Sequence, residues 1–294
     1  HPDTADRDVC LGVLPPGGGT RTGSRCFTGD PAHANVDVLT EPAPGPDGRF
    51  AWLEEHTLRG LITPGSSAIR VGQLTLQDSG QTVRTLPYLS PSGQQIFTAT
   101  HLAWLGSQAL VYVGAEVQYS APCQRCKLDT LVIGREVTRL DLGANPPALS
   151  VIPGTVNATS VWPAPTGDAV YYTIGGDSRV FHQVLASGAV DVIHDFGALG
   201  IARDAQVIGP DLVAVVGGRA SFQNSPLFGP IQVDSGGFLY HVDLGSGTET
   251  NLAIVTHLFR HPALSPDGRL IAAETYDSSA AAPLIADLYL FDAP

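Results

Sequence analysis

Apolar positions along the chain come in short runs, not at helical spacing. Ala109-Leu110-Val111-Tyr112-Val113, Ala169-Val170-Tyr171-Tyr172-Thr173 and Asp287-Leu288-Tyr289-Leu290-Phe291 are typical, and Gly, Pro, Asp and Ser punctuate them. Runs of about four to eight such residues bounded by turn signals predict strands. The pattern therefore predicts an all-β protein.

The strands recur as a unit. Ala43-Pro44-Gly45-Pro46-Asp47-Gly48-Arg49-Phe50-Ala51-Trp52 matches Ala263-Leu264-Ser265-Pro266-Asp267-Gly268-Arg269-Leu270-Ile271-Ala272. The segments 103–112 and 161–172 repeat the same strand, turn and strand, and 207–216 is a shortened copy. In Pro-Asp-Gly, Pro presets φ, Asp bonds nearby backbone and Gly accepts a positive φ. A second hairpin follows, as where 179–185 turns at Ala186-Ser187-Gly188 and 238–244 turns at Gly245-Ser246-Gly247.

Four antiparallel strands per roughly 45–60 residues predict a β-propeller, because one such sheet buries its faces only by packing on its neighbours. Turns near 48, 107, 167, 211 and 268 predict five blades in one domain over 1–294. A sixth blade is the alternative, through Ser90-Pro91-Ser92-Gly93. That turn lies only about 14 residues before the next and reads as a decorated loop. An immunoglobulin-like pair of sandwiches is the alternative fold. The last unit lacks a fourth strand, and Val9-Cys10-Leu11-Gly12-Val13-Leu14 is expected to supply it, closing the ring.

Composition narrows the setting. The 294 residues are 43% hydrophobic and 15% charged, which excludes a disordered chain. No apolar stretch approaches the ~18 residues of a membrane helix. A net charge of -12 argues against a nucleic-acid or anionic membrane surface. The chain contains no Met, so His1 is expected to be a processed or engineered terminus with any export signal removed.

Four cysteines lie in two local pairs, Cys10 with Cys26 and Cys123 with Cys126. Two disulfides are expected, and with them an oxidising compartment, the periplasm or cell exterior. Zinc and redox chemistry stay open for the CxxC. Against them, the following Leu128-Asp129-Thr130-Leu131-Val132-Ile133 reads as a strand, not the helix that thioredoxin-type chemistry needs, and there is no second CxxC.

The motif Ser265-Pro266-Asp267-Gly268-Arg269-Leu270-Ile271-Ala272, followed by Leu288-Tyr289-Leu290-Phe291-Asp292, resembles the repeats of TolB-like β-propellers of bacteria. The opening Cys10-Leu11-Gly12-Val13-Leu14-Pro15-Pro16-Gly17-Gly18-Gly19-Thr20-Arg21 resembles that of uncharacterised exported propellers. The resemblance implies an extracytoplasmic binding or assembly module and carries no catalytic residue across. The helical N-terminal domain of TolB has no counterpart in the sequence.

No catalytic residue, cofactor or metal ligand is assigned from the sequence, and an enzyme is not expected. A Gly-x-Ser-x-Gly elbow is absent. A metal-dependent lactonase or hydrolase, with a channel ion held by Glu54, Glu55, Glu116, Asp204 or Glu274, is one alternative function. A structural subunit of a cell-surface assembly is the other. His257 and His261 read as residues of a connection between blades, with His261 linking them by hydrogen bonds. Copper at His1 would require a native mature terminus. The expected partner-binding surfaces are two loops. One is 221–237, with the apolar Leu227, Phe228, Pro230 and Ile231. The other is the CxxC tip, with Arg125 and Lys127, which suits an acidic neighbour or a second copy.

Overall fold

The computed structural model describes residues 9–13, 22–27, 36–57, 64–73, 81–86, 88–89, 95–120, 129–217, 220–225, 229–234, 236–252, 258–276 and 286–294. Five antiparallel sheets form the blades of a propeller. Blade 1 follows the hairpin β1 (Val9–Val13) and β2 (Thr22–Phe27). It comprises β3 (Val36–Pro44), β4 (Arg49–Thr57), β5 (Pro64–Gln73) and β6 (Gln81–Leu86). Blade 2 comprises β7 (Tyr88–Leu89), β8 (Gln95–Leu105), β9 (Ala109–Ser120), β10 (Asp129–Asp141) and β11 (Ala148–Val151). Blade 3 comprises β12 (Ala158–Pro163), β13 (Ala169–Ile174), β14 (Arg179–Val184) and β15 (Val190–Asp195). In blade 4, the hairpin β18 (Ala220–Ser225) and β19 (Gly229–Asp234) interrupts the run β16 (Ala202–Ile208), β17 (Asp211–Val216), β20 (Phe238–Asp243) and β21 (Thr248–Asn251). Blade 5 comprises β22 (Phe259–Leu264), β23 (Leu270–Tyr276) and β24 (Ala286–Asp292).

The core lies between blades, as the sequence pattern requires. Leu53, Ile69, Leu110 and Leu140 join blades 1 and 2; Val111, Val137, Val161 and Tyr172 join blades 2 and 3. Val180, Val207, Leu212 and Val242 join blades 3 and 4; Val213, Leu239, Phe259 and Ile271 join blades 4 and 5. Among the described residues no such cluster joins blades 5 and 1. Buried polar side chains stitch the same seams. Val137 N donates to Thr155 Oγ1 at 3.0 Å, Leu264 N to Gln206 Oε1 at 2.5 Å, and Thr173 Oγ1 to Arg203 O at 3.3 Å.

Two expectations about the chain's course are not met among the described residues. The described ladders do not join β1 to β24: β1 pairs with β2, and blade 5 has three strands. A nearby hairpin partner closes a short loop, whereas the expected seam closes one of nearly the whole chain, at a larger entropy cost. The stretch 221–237 is not a loop throughout. Its described parts pair as β18 and β19, with Asn224 opposite Pro230. Proline is tolerated there because a two-stranded ladder leaves outward N–H positions unpaired. The turn expected at Ser90-Pro91-Ser92-Gly93 lies outside the described residues; β7 and β8, on either side of it, pair with each other.

Turn aspartates anchor several hairpins. A hydrogen bond from the Arg179 side chain holds the Asp177 carboxyl below its ordinary pKa. Hydrogen bonds from Ser178, Ser246 and Ser265 do the same for Asp195, Asp243 and Asp267. A depressed folded-state pKa contributes stability that is present above the unfolded value and lost as pH falls through the folded one. Thermal midpoints followed by circular dichroism are therefore expected to fall steeply below about pH 4. The double variant Asp243→Asn, Asp267→Asn should flatten that fall; an unchanged acid slope would remove these turns as its cause.

Candidate functional site

One inner strand of each blade, β3, β8, β12, β16 and β22, faces the axis, and the five lie side by side in that order. Every one of them breaks register with its outer neighbour. The breaks lie between Thr40 and Ala43, Thr100 and Ala103, Ala158 and Ser160, Ala202 and Asp204, and Arg260 and Ala263. A β-bulge leaves a residue unpaired and re-aims its side chain. Glu41, His101 and His261 occupy the bulges of blades 1, 2 and 5 with φ of 53°, 56° and 48°. Such φ values are uncommon for side chains this size, and each costs conformational energy.

The bulges bring three groups together in the channel. Asp204 Oδ2 lies 3.2 Å from His101 Nε2 and 3.7 Å from His261 Nδ1. Glu274 Oε2 approaches His261 Nε2 at 3.8 Å, and the backbone N–H of His101 donates to Glu41 Oε2 at 2.6 Å. His101 and Asp204 are largely buried, while His261 is 53% exposed. Neither ring nitrogen of His101 makes an aligned hydrogen bond. A cavity of about 340 Å³ adjoins the cluster, and Arg135, Thr159, Arg203 and Arg260 also line it.

Burial by itself would lower the pKa of His101, but the carboxylates of Asp204 and Glu41 outweigh it and hold the imidazole above its ordinary value. Burial would raise that of Asp204, and the two histidines reverse this. The arrangement can bind a ligand that needs donors and acceptors side by side. His101, Asp204 and His261 each present an atom within 4.8 Å of the others, the grouping a metal ion requires.

Of the residues named from the sequence, Asp204, Glu274 and His261 meet in this cluster. His261 lies inside β22 and not in a connection, because the bulge keeps its strand running past it. Glu54 and Glu55 lie on β4 and Glu116 on β9. Pro230 and Ile231 lie on β19. His1, Cys123, Arg125, Cys126, Lys127, Leu227, Phe228 and His257 lie outside the described residues. His101 and Glu41 were not singled out by sequence. Their signal is in the repeat itself: Glu41-Pro42-Ala43, His101-Leu102-Ala103 and His261-Pro262-Ala263 align.

No family model matches the chain, and no curated protein matches it in sequence. Solved structures do match its fold. TolB from Acinetobacter baumannii aligns over 92% of this chain and 54% of its own at 15% identity, with a TM-score of 0.56. A protein from Agrobacterium tumefaciens described as a TolB aligns over 92% and 80% at 12% identity, with a TM-score of 0.57. Kuenenia stuttgartiensis hydrazine synthase aligns over 92% and 38% at 12% identity, with a TM-score of 0.55. The chain thus spans about half the length of the Acinetobacter TolB. The likeness is one of fold, a TolB-like propeller, and enzymes share it. No helix among the described residues is long and apolar enough to cross a membrane.

Proposed function

We propose that the chain is an extracytoplasmic binding propeller, without catalysis of its own, that docks a partner protein across the mouth of its channel. The observation that carries this reading is the register break repeated in all five inner strands. Each break gives up ladder hydrogen bonds, and together they turn polar side chains toward one point on the axis. Loss repeated at every blade is expected where the surface it creates has a use. The fold likeness to TolB supports a binding role.

The test is position-dependent crosslinking in the producing cell. A photo-reactive residue at Ile201, a cavity-lining position 39% exposed, is expected to give one discrete adduct. The same probe at Leu288, exposed on the outer strand of blade 5, should not. Equal adducts at both positions, or none at Ile201, would count against the reading. The assembly reading has its own support in Leu288 and Leu290, both exposed on the last strand of a three-stranded blade. Light scattering after size exclusion tests it, and a monomer at all concentrations removes it.

Export rests on the cysteines. The ladder sets Cys10 opposite Cys26. Opposed antiparallel residues have Cα atoms about 4.5–5.5 Å apart, inside the span a disulfide bridges. Protein recovered from an oxidising compartment should take up alkylating reagent at none of its four cysteines until reduced. Uptake at all four without reduction would remove this support.

A further inference from the structure

We infer that His101, Asp204 and His261 form a binding site for a first-row divalent transition ion, zinc or a cation of similar ligand preference, held where blades 2, 4 and 5 meet. This goes beyond the docking of a partner and does not depend on it. Two imidazoles and a carboxylate suit such ions; calcium and magnesium prefer sites built of oxygen.

The geometry fits an ion of that size. Nitrogen and oxygen ligands about 2.1 Å from a tetrahedral ion lie about 3.4 Å from one another. Two of the three separations, 3.2 Å from Asp204 to His101 and 3.7 Å to His261, bracket that value, and all three ligand atoms lie within 4.8 Å of one another. Small rotations of the rings would open room for the ion between them.

Three features are hard to assign to a plain ion-pair clamp. His101 Nδ1 is buried with no hydrogen-bond partner among the described residues, and Nε2 faces Asp204 at 3.2 Å without an aligned hydrogen bond, which leaves a ring lone pair to be used. Both histidines sit at strained positive φ in matching bulges. Asp204 lies within reach of both rings by one oxygen, leaving its other oxygen for a surrounding group. Surrounding support is present. Glu41 accepts from the backbone of His101, and Glu274 lies beside the outer nitrogen of His261. Such partners orient metal ligands. The carboxylates of Glu41, Asp204 and Glu274 balance the guanidinium groups of Arg135, Arg203 and Arg260, so a dication does not enter a site of net positive charge. The adjoining cavity leaves open positions on the ion for water or a ligand.

The test is a cobalt(II) titration of the intact purified chain, followed by visible absorption, with zinc as competitor and calcium and magnesium as controls. The expected result is saturation near one equivalent, loss of the cobalt bands on adding zinc, and no displacement by calcium or magnesium. His261→Gln changes an exposed side chain and should leave the thermal midpoint of the metal-free protein unchanged while weakening cobalt binding at least about tenfold. His101→Gln should do the same to binding. Absence of site-bound cobalt bands in folded parent protein would overturn the inference. So would equal affinity in the parent and in folded His261→Gln, which would put the ion elsewhere, as at His1. Neither outcome bears on whether a partner docks, which the crosslinking at Ile201 reads separately.

Discussion

Trp104→Ala is expected to destabilise the protein by about 3–5 kcal/mol, the range for deleting a buried tryptophan. The indole is 8% exposed and locks blade 2 onto blade 1 in three ways. Its Nε1 donates to Ala43 O at 3.1 Å. The Arg49 guanidinium lies 4.6 Å above the ring, and its Nη2 donates to Ser107 O at 2.5 Å, tying the two blade turns together. Gly45 lies so close that a Cβ there would come within 2.4 Å of the indole, so the ring has no slack on that side. Truncation would open a cavity between two sheets that cannot collapse independently, and would remove the indole donor from the Ala43 carbonyl. Trp104→Phe keeps most of the packing and loses the hydrogen bond, so it should cost about 1–2 kcal/mol. Denaturant unfolding of both variants checks the order; a loss below about 1 kcal/mol for Trp104→Ala would mean that the seam is held elsewhere.

Gly237→Ala is the second substitution with a large expected effect, about 3 kcal/mol. Gly237 bridges blade 4 to blade 5. Its N–H donates to Phe259 O at 3.0 Å, and Phe259 N–H returns the bond to Gly237 O at 2.7 Å. A Cβ at this position would meet Val216 O at 2.7 Å and Gly217 O at 3.0 Å, both backbone atoms that no side-chain rotation can move. Methylation would therefore push Gly237 off the end of β17 and strain its paired hydrogen bonds to Phe259. Gly188→Ala is the control. Gly188 has φ of 69° but nothing within 4 Å of its Cβ direction, so only the left-handed strain applies, about 1 kcal/mol. Equal losses in the two variants would show that the contact with Val216 and Gly217 does not set the cost.

Several features are legible in the sequence. The Pro-Asp-Gly turns marked the blades because each is a local device, complete within four residues. The unbroken apolar run Ala109-Leu110-Val111-Tyr112-Val113 marked a strand, and the structure buries both of its faces, Leu110 and Val111 fully. Asp204, Glu274 and His261 were legible as polar residues near strand ends, but not as neighbours. His261 and Asp204 are 57 residues apart in sequence, and His101 and Asp204 are 103 apart.

The hydrophobic pattern and turn chemistry by themselves determined that this chain is all-β, built from repeated antiparallel sheets, and in need of packing between them. These are properties of residues a few positions apart, where backbone preference and side-chain alternation act directly. The tertiary structure decided what the pattern left open. It paired β1 with β2, turned part of 221–237 into a hairpin, and drew His101, Asp204 and His261 to one point. The reason is geometric: the blades converge on a common axis, and a bulge in each inner strand turns side chains toward it. That convergence exists only once all five sheets are packed.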